Sequence, residues 1–304
     1  MDTTTVVGAG RRTLGPVGVY LPLPFTSAPS IDLQRKAVGR LERAGYRTAW
    51  TNEVVGGKDA LVHLSVLLAA TQRMAFATGI ANIWARPPQM AHAASALLAQ
   101  AYPGRFVLGL GGGYPQQAES VGRTFGSPLA TMRDYLDRMH AETWPPAPDT
   151  AYPRIIAANG PKMLALGGEV ADGVLPAGLP PEFTARARQE LGPDKLLVIG
   201  LTIIPDTDAD RAKAAARDTV AARLDQPWYS AGMARLGYSD DEIAQVSDRL
   251  VEATVAYGDP AAIAVKVREH LAAGADHVTL MPSTDADFTL GIDQLEDLAP
   301  ALVS

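Results

Sequence analysis

The chain has no cysteine among its 304 residues, which excludes disulfides and thiolate chemistry. No apolar run approaches the ~20 residues that a membrane helix needs. Positive charge is not in excess either. Lys and Arg number 27 against 33 Asp and Glu, and a net charge of −6 gives no footing for nucleic acid or an anionic membrane. The Arg11-Arg12 pair invites an export-signal reading, but Gly15, Pro16, Pro22 and Pro24 break the apolar segment such a signal requires. No Gly-x-Ser-x-Gly elbow is present, so hydrolysis by a serine nucleophile has no support. The five histidines form no metal-binding pattern: His63, His92, His140 and His270 fall in predicted helices, and His277 opens a strand. A hydrophobic content of 47% is ample for a large core. These bounds describe a cytoplasmic enzyme built as one domain, with residues 1–14 as a flexible N-terminal tail.

Apolar strands alternate with amphipathic helices throughout. Strands are expected at Val17–Leu21, Tyr46–Thr51, Met74–Ala81, Phe106–Leu110, Ile155–Ala158, Gly173–Pro176, Leu196–Ile204 and His277–Met281. Helix boundaries carry their own signals. Gly45 stops the helix Ile31–Ala44 in the left-handed position, Asp59 caps the next, and Ser127-Pro128 and Asp259-Pro260 place a cap and a proline in the order a helix start prefers. Residues 208–256 read as one long helical region, broken by the capping box Ser239-Asp-Asp-Glu242. Eight strands in this pattern predict a (β/α)8 barrel. A doubly wound dinucleotide fold fits less well, because no GxGxxG follows the first strand and the glycine run lies at mid-chain.

Two strand ends finish in bare backbone. Phe106–Leu110 runs into Gly111, Gly112 and Gly113, and Ile155–Ala158 runs into Asn159-Gly160 with Pro161 opening a helix. Uncovered amides at a strand's carboxyl end and at a helix start suit an anion or a flat ring, which points to a phosphorylated cofactor. Barrel enzymes place their sites at the carboxyl ends of the strands. There stand Pro22, Pro24, Asn52, Glu53, Gly79, Ile80, Asn82, Gly111 to Tyr114, Asn159-Gly160, Pro176 to Gly178, Pro205-Asp206 and Pro282-Ser283. Glu53, partly desolvated in an apolar mouth, is the expected proton-transfer group, with Tyr114 as a second. Asn52 and Asn82 suit hydrogen bonds to the polar edge of a heterocycle. So few ionisable groups leave the chemistry to a cofactor.

Thr78-Gly-Ile-Ala-Asn-Ile-Trp84, Phe106-Val-Leu-Gly-Leu-Gly111, Ala158-Asn-Gly-Pro-Lys-Met163, Ala171-Asp-Gly-Val174 and Ala273-Gly-Ala-Asp-His-Val278 resemble the bacterial-luciferase-like superfamily. Within it they are similar to actinobacterial oxidoreductases that use the deazaflavin coenzyme F-420, and the segment from Leu236-Gly-Tyr to Gly258-Asp-Pro260 shares that likeness. The resemblance implies a non-prolyl cis peptide at Gly79–Ile80 behind the tricyclic ring, with Asn52 and Asn82 at the ring edge. It implies Gly111 to Gly113, Asn159, Gly160 and Pro161 along the ribityl chain and phosphate. Glu53 stands where relatives keep an acid–base side chain, often histidine. Tyr114 is a departure, since related proteins carry glutamate or histidine there. The implied activity is F-420-dependent hydride transfer to or from an enone, imine or alcohol, in a homodimer paired through helices beside the second and third strands. An FMN-dependent monooxygenase using O2 and a non-catalytic flavin-binding homologue are the alternatives.

Overall fold

The structure, a computed structural model, describes residues 3–24, 29–282 and 287–303. Among the described residues ten strands form: β1 Val17–Tyr20, β2 Thr48–Thr51, β3 Ala75–Thr78, β4 Ala81–Asn82, β5 Phe106–Gly111, β6 Arg154–Ala157, β7 Gly173–Leu175, β8 Leu196–Pro205, β9 Val255–Gly258 and β10 His277–Met281. Eight of them are parallel neighbours in the order β10-β1-β2-β3-β5-β6-β7-β8, and β8 pairs with β10 to close the ring. This is the expected (β/α)8 barrel, made of the eight expected strands. Alternation along each strand divides its side chains. Tyr20, Trp50, Ala77, Val107, Ile155, Leu175, Leu196 and Val198 fill the interior, while Val19, Phe76, Leu108, Ile156, Leu197 and Leu280 pack outward against helices.

Local chemistry sets the helix limits where the sequence places them. Asp59, Ser127 and Asp259 each accept a backbone N–H from the first turn of their helices, and Gly45 takes φ 106°. The remaining two strands are additions. β9 extends the free end of β8, so Val255 and Ala256, expected at the end of the helical region, are strand. β4 pairs with β5 after a break: Ala77 faces Val107 and Ala81 faces Leu110, which puts one extra residue on the β3–β4 side, a bulge. The Thr78 hydroxyl bridges that break, donating to Gly109 O at 2.7 Å and accepting from Gly109 N at 2.8 Å. A Cβ on Gly109 would lie 2.0 Å from Thr78 O, so only glycine allows the approach. The Gly79–Ile80 peptide in the bulge is cis.

The expected N-terminal tail is instead a helix, Thr3–Leu14, which closes the floor of the barrel. Val7 and Leu14 are buried in the interior cluster, and Gly10 packs so closely on Leu196 and Pro153 that a Cβ would clash. Gly10 serves close contact here. Above this floor His277 sits inside the barrel. It accepts from Trp50 Nε1 at 3.0 Å and, through Nδ1, donates to Gly15 O at 2.7 Å, which keeps the ring neutral and fully bonded. Among the described residues no helix is long and apolar enough to cross a membrane.

Burial lowers His63, His270 and His277 from 6.5 to about 4. The unfolded chain therefore binds more protons than the folded one between those values. Stability is full above the unfolded pKa and is lost as pH falls through the folded one. Thermal melts between pH 7 and 4 are expected to show a falling midpoint. His277→Ala is expected to cost about 1–3 kcal/mol at neutral pH from the unpaired Trp50 N–H alone, read by denaturant unfolding.

Candidate active site

Strand parity identifies what faces the mouth, the open end beyond the strand C-termini. Asn52 lies two residues beyond Trp50, Gly79 two beyond Ala77, Gly111 four beyond Val107, Ala177 two beyond Leu175, and Thr202 four beyond Val198. All point inward, with Met281 beside them. Tyr20 donates to Gly79 O at 2.6 Å, and a Cβ on Gly79 would press on the Tyr20 and Trp50 rings. Two aromatic rings thus form the floor under a bare peptide.

Glu53 is out of phase with Asn52 and turns away from the mouth. Its side chain is 1% exposed and lies 2.5 Å from Arg86, which also reaches Asp59 at 2.8 Å. Its carboxylate accepts from Ala60 N at 3.0 Å and Asn82 N at 2.7 Å. Burial raises its pKa, and Arg86 and the two N–H groups pull it back. The expectation of a free acid at the mouth is corrected here: this carboxylate is enclosed and fully bonded, joining β2, the bulge and the helix Ala60–Ala69. Its own N–H donates to Ile80 O at 3.0 Å, so one residue holds both ends of the segment 80–82.

The other predicted residues divide similarly. Asn82 accepts from Trp84 N and donates to Gln117, so both ends of its amide are engaged. Asn159 accepts from Ala177 N at 2.9 Å, linking β6 to β7. Asn52 accepts from Lys58 Nζ, but its Nδ2 is buried without a partner. Tyr114 is 62% exposed on the rim. Asp206 pairs with Arg211 on the surface, and Ser283 lies outside the described residues.

The glycine run separates by role. A Cβ on Gly111 would meet Ile80 at 2.6 Å, and Gly113 has φ +56° with Gln117 at 1.9 Å, so both are required by packing and turn. Gly112 and Gly160 have nothing within 4 Å of a Cβ. Their bareness serves no contact inside the protein and leaves backbone open to a ligand. Gly160 precedes the helix Pro161–Val170, which has no side-chain cap over its first N–H groups.

Two functional candidates were missed in the sequence. Lys58 returns to Asn52 through the turn 54–58, and burial lowers its ammonium to about 8. Arg223, from the helix Ala209–Leu224, donates to Thr202 Oγ1 at the mouth and keeps a buried Nη1 unpartnered. Neither has a carboxylate partner among the described residues. A lysine in a Gly-rich loop and an arginine at a helix end carry no local signal, because tertiary contact alone brings them to the mouth.

Glu53→Ala is expected to cost about 3–5 kcal/mol in denaturant unfolding, because it removes one of the two carboxylates on Arg86 and leaves the buried N–H groups of Ala60 and Asn82 unpaired. A group used only for proton transfer would leave stability unchanged.

Comparison with known proteins gives the family and the fold. Residues 16–277 fit the family model for luciferase-like monooxygenases. A Mycobacterium tuberculosis protein named as a coenzyme F-420-dependent oxidoreductase is 29% identical over 188 residues, covering 51% of this chain and 54% of that protein. The chain thus spans about half the length of that relative. The 5,10-methylenetetrahydromethanopterin reductase of Archaeoglobus fulgidus is 26% identical over 262 residues, 76% of this chain and 77% of that one. Among solved structures, an F-420-dependent secondary alcohol dehydrogenase superposes with TM-score 0.70 at 17% identity, covering 95% of this chain and 99% of that one. An FMN-bound Baeyer–Villiger monooxygenase component from Pseudomonas putida gives 0.69 at 16%, covering 94% and 98%. These likenesses share the barrel, and the family match fixes the lineage. The chain belongs to the luciferase-like monooxygenase family.

Proposed function

We propose that this protein is a coenzyme F-420-dependent oxidoreductase. The observation that carries the reading is the pair of open glycines, Gly112 and Gly160, on adjoining strand ends beside an uncapped helix start. The relative named for F-420 supports the choice of cofactor. The residues fit the group. The bare Gly79–Ile80 backbone suits a flat ring, with the unpaired Asn52 Nδ2 at its edge, and Gly112, Gly160 and the first N–H groups of the helix Pro161–Val170 suit a chain ending in phosphate. When bound, the deazaflavin supplies hydride chemistry at its C5 carbon. The protein holds it in place and keeps water out.

Trp84, stapled by Nε1 to Gly112 O at 2.7 Å, offers apolar surface to an enone, imine or secondary alcohol. Arg223 adds a donor for a polar end of that substrate. The helices Ala60–Ala69 and Pro88–Ala101 expose Val62, Met90 and Leu97, which supports pairing into a homodimer that sedimentation equilibrium would read directly.

Titration of the apoprotein with oxidised F-420 and with FMN, followed by quenching of tryptophan fluorescence, tests the reading. F-420 is expected to bind at micromolar concentration or tighter and FMN at least about tenfold more weakly, a difference of about 1.4 kcal/mol. Gly112→Val and Gly160→Val are expected to weaken F-420 binding without changing the melting temperature. Preference for FMN, with oxygen consumption, would assign the monooxygenase reaction instead. Binding of neither would overturn both.

A further inference from the structure

We propose that Lys58 carries the proton at the barrel mouth, exchanging it between Nζ and the oxygen or nitrogen of a substrate carbonyl, imine or hydroxyl group. The inference rests on the oxidoreductase reading and names the acid–base group of that site. The placement begins with a turn. Val54 N donates to Lys58 O at 3.1 Å and Lys58 N to Val54 O at 2.9 Å, with Gly56 at φ +80° between them. This closure folds Lys58 back onto β2, where its ammonium donates to the inward-facing Asn52.

What surrounds the ammonium matters as much. The nearest carboxylates in the chain, Glu53 and Asp59, are both drawn to Arg86, so the loop offers Lys58 no counter-charge. From the adjoining helix His63 faces it, held neutral by burial and set against Thr51 Oγ1 at 3.4 Å. Burial among these uncharged groups lowers Lys58 to about 8, where an amine both gives and takes a proton near neutral pH. Asn52 uses its oxygen on Lys58 and leaves Nδ2 unpaired, so the pair presents a buried donor that lacks an acceptor. A substrate heteroatom supplies one.

The rivals are otherwise occupied. Glu53 is enclosed, Tyr20 donates to Gly79 O, Tyr114 stands on the exposed rim, and Arg223 donates to Thr202. In the reducing direction, hydride arrives at the carbon of a C=O or C=N bond. The π pair moves onto the heteroatom, which takes a proton from Nζ. Lys58 is left as the neutral amine and regains a proton from water. Oxidation of an alcohol or amine runs the same steps backward.

Trace acetylation with acetic anhydride, quantified by peptide mass spectrometry across pH 6–11, reads Lys58 without cofactor or substrate. Its labelling is expected to rise with a midpoint near 8, against about 10.4 for a free lysine side chain in a short reference peptide labelled in the same tube. A Lys58 midpoint equal to that of the reference peptide would overturn the proposal. Tryptophan quenching of the parent protein by oxidised F-420 tests the cofactor reading alone. Quenching together with an ordinary lysine midpoint would leave the cofactor assignment standing and remove Lys58. No quenching would remove the assignment and the role together. With 2-propanol or 2-cyclohexenone as probe substrate, Lys58→Met and Lys58→Arg are both expected to lower kcat by about 100-fold or more with little change in KM. Methylammonium is expected to restore part of the turnover of Lys58→Ala. Variants that turn over like the parent protein would overturn the proposal.

Discussion

The enclosed carboxylate of Glu53 organises this barrel's mouth. Arg86 neutralises it, and the N–H groups of Ala60 and Asn82 complete its bonding. From Asn82 the order passes outward along hydrogen bonds: to Trp84 N, to Gln117, and from Gln117 to Tyr114 N at the start of the next short helix. Trp84 in turn fixes Gly112 O. A buried charge with one missing partner is costly, so this chain has one low-energy arrangement. The glycine-rich strand end therefore owes its shape to a residue whose carboxylate is turned away from the mouth.

With its carboxylate turned away, the mouth is left to donors. Lys58, Asn52 Nδ2 and Arg223 Nη1 all lack an acidic partner among the described residues, in a protein whose net charge is −6. Acidic residues are plentiful elsewhere, so their absence as partners of these donors, among the described residues, is a local property. Unpaired donors at the end of an apolar barrel favour ligands rich in acceptor atoms, such as a ring bearing carbonyl groups or a phosphate. The open space over Gly112 and Gly160 meets the same requirement from the backbone side.

The likeness to enzymes of different chemistry is a likeness of the barrel. In the proposed reading, the bulge and glycine-rich ends seat a flat, phosphorylated cofactor, and the loop after β2 and the helix after β8 furnish the side chains that meet a substrate. Family membership fixes the lineage, and on the same reading residues such as Lys58 and Arg223 distinguish one reaction from another.

Short-range chemistry was legible in the chain. Apolar alternation marked all eight barrel strands, and Asp59, Ser127, Asp259 and Gly45 marked helix ends, because a cap acts on residues within one turn of itself. The bare strand ends at Gly111–Gly113 and Asn159–Gly160 were equally plain. Partnership across the sequence was not. The helix Thr3–Leu14 is held by Leu196 and Pro153, β9 by β8, Glu53 by Arg86, and Arg223 by Thr202. Whether a carboxylate is a free acid or a buried anchor depends on which distant cation meets it. So the sequence by itself determined the barrel and the place of its mouth, through periodicity and capping. Only the tertiary structure decided which side chains at that mouth are left unpaired, because pairing is settled by contacts between residues far apart in the chain.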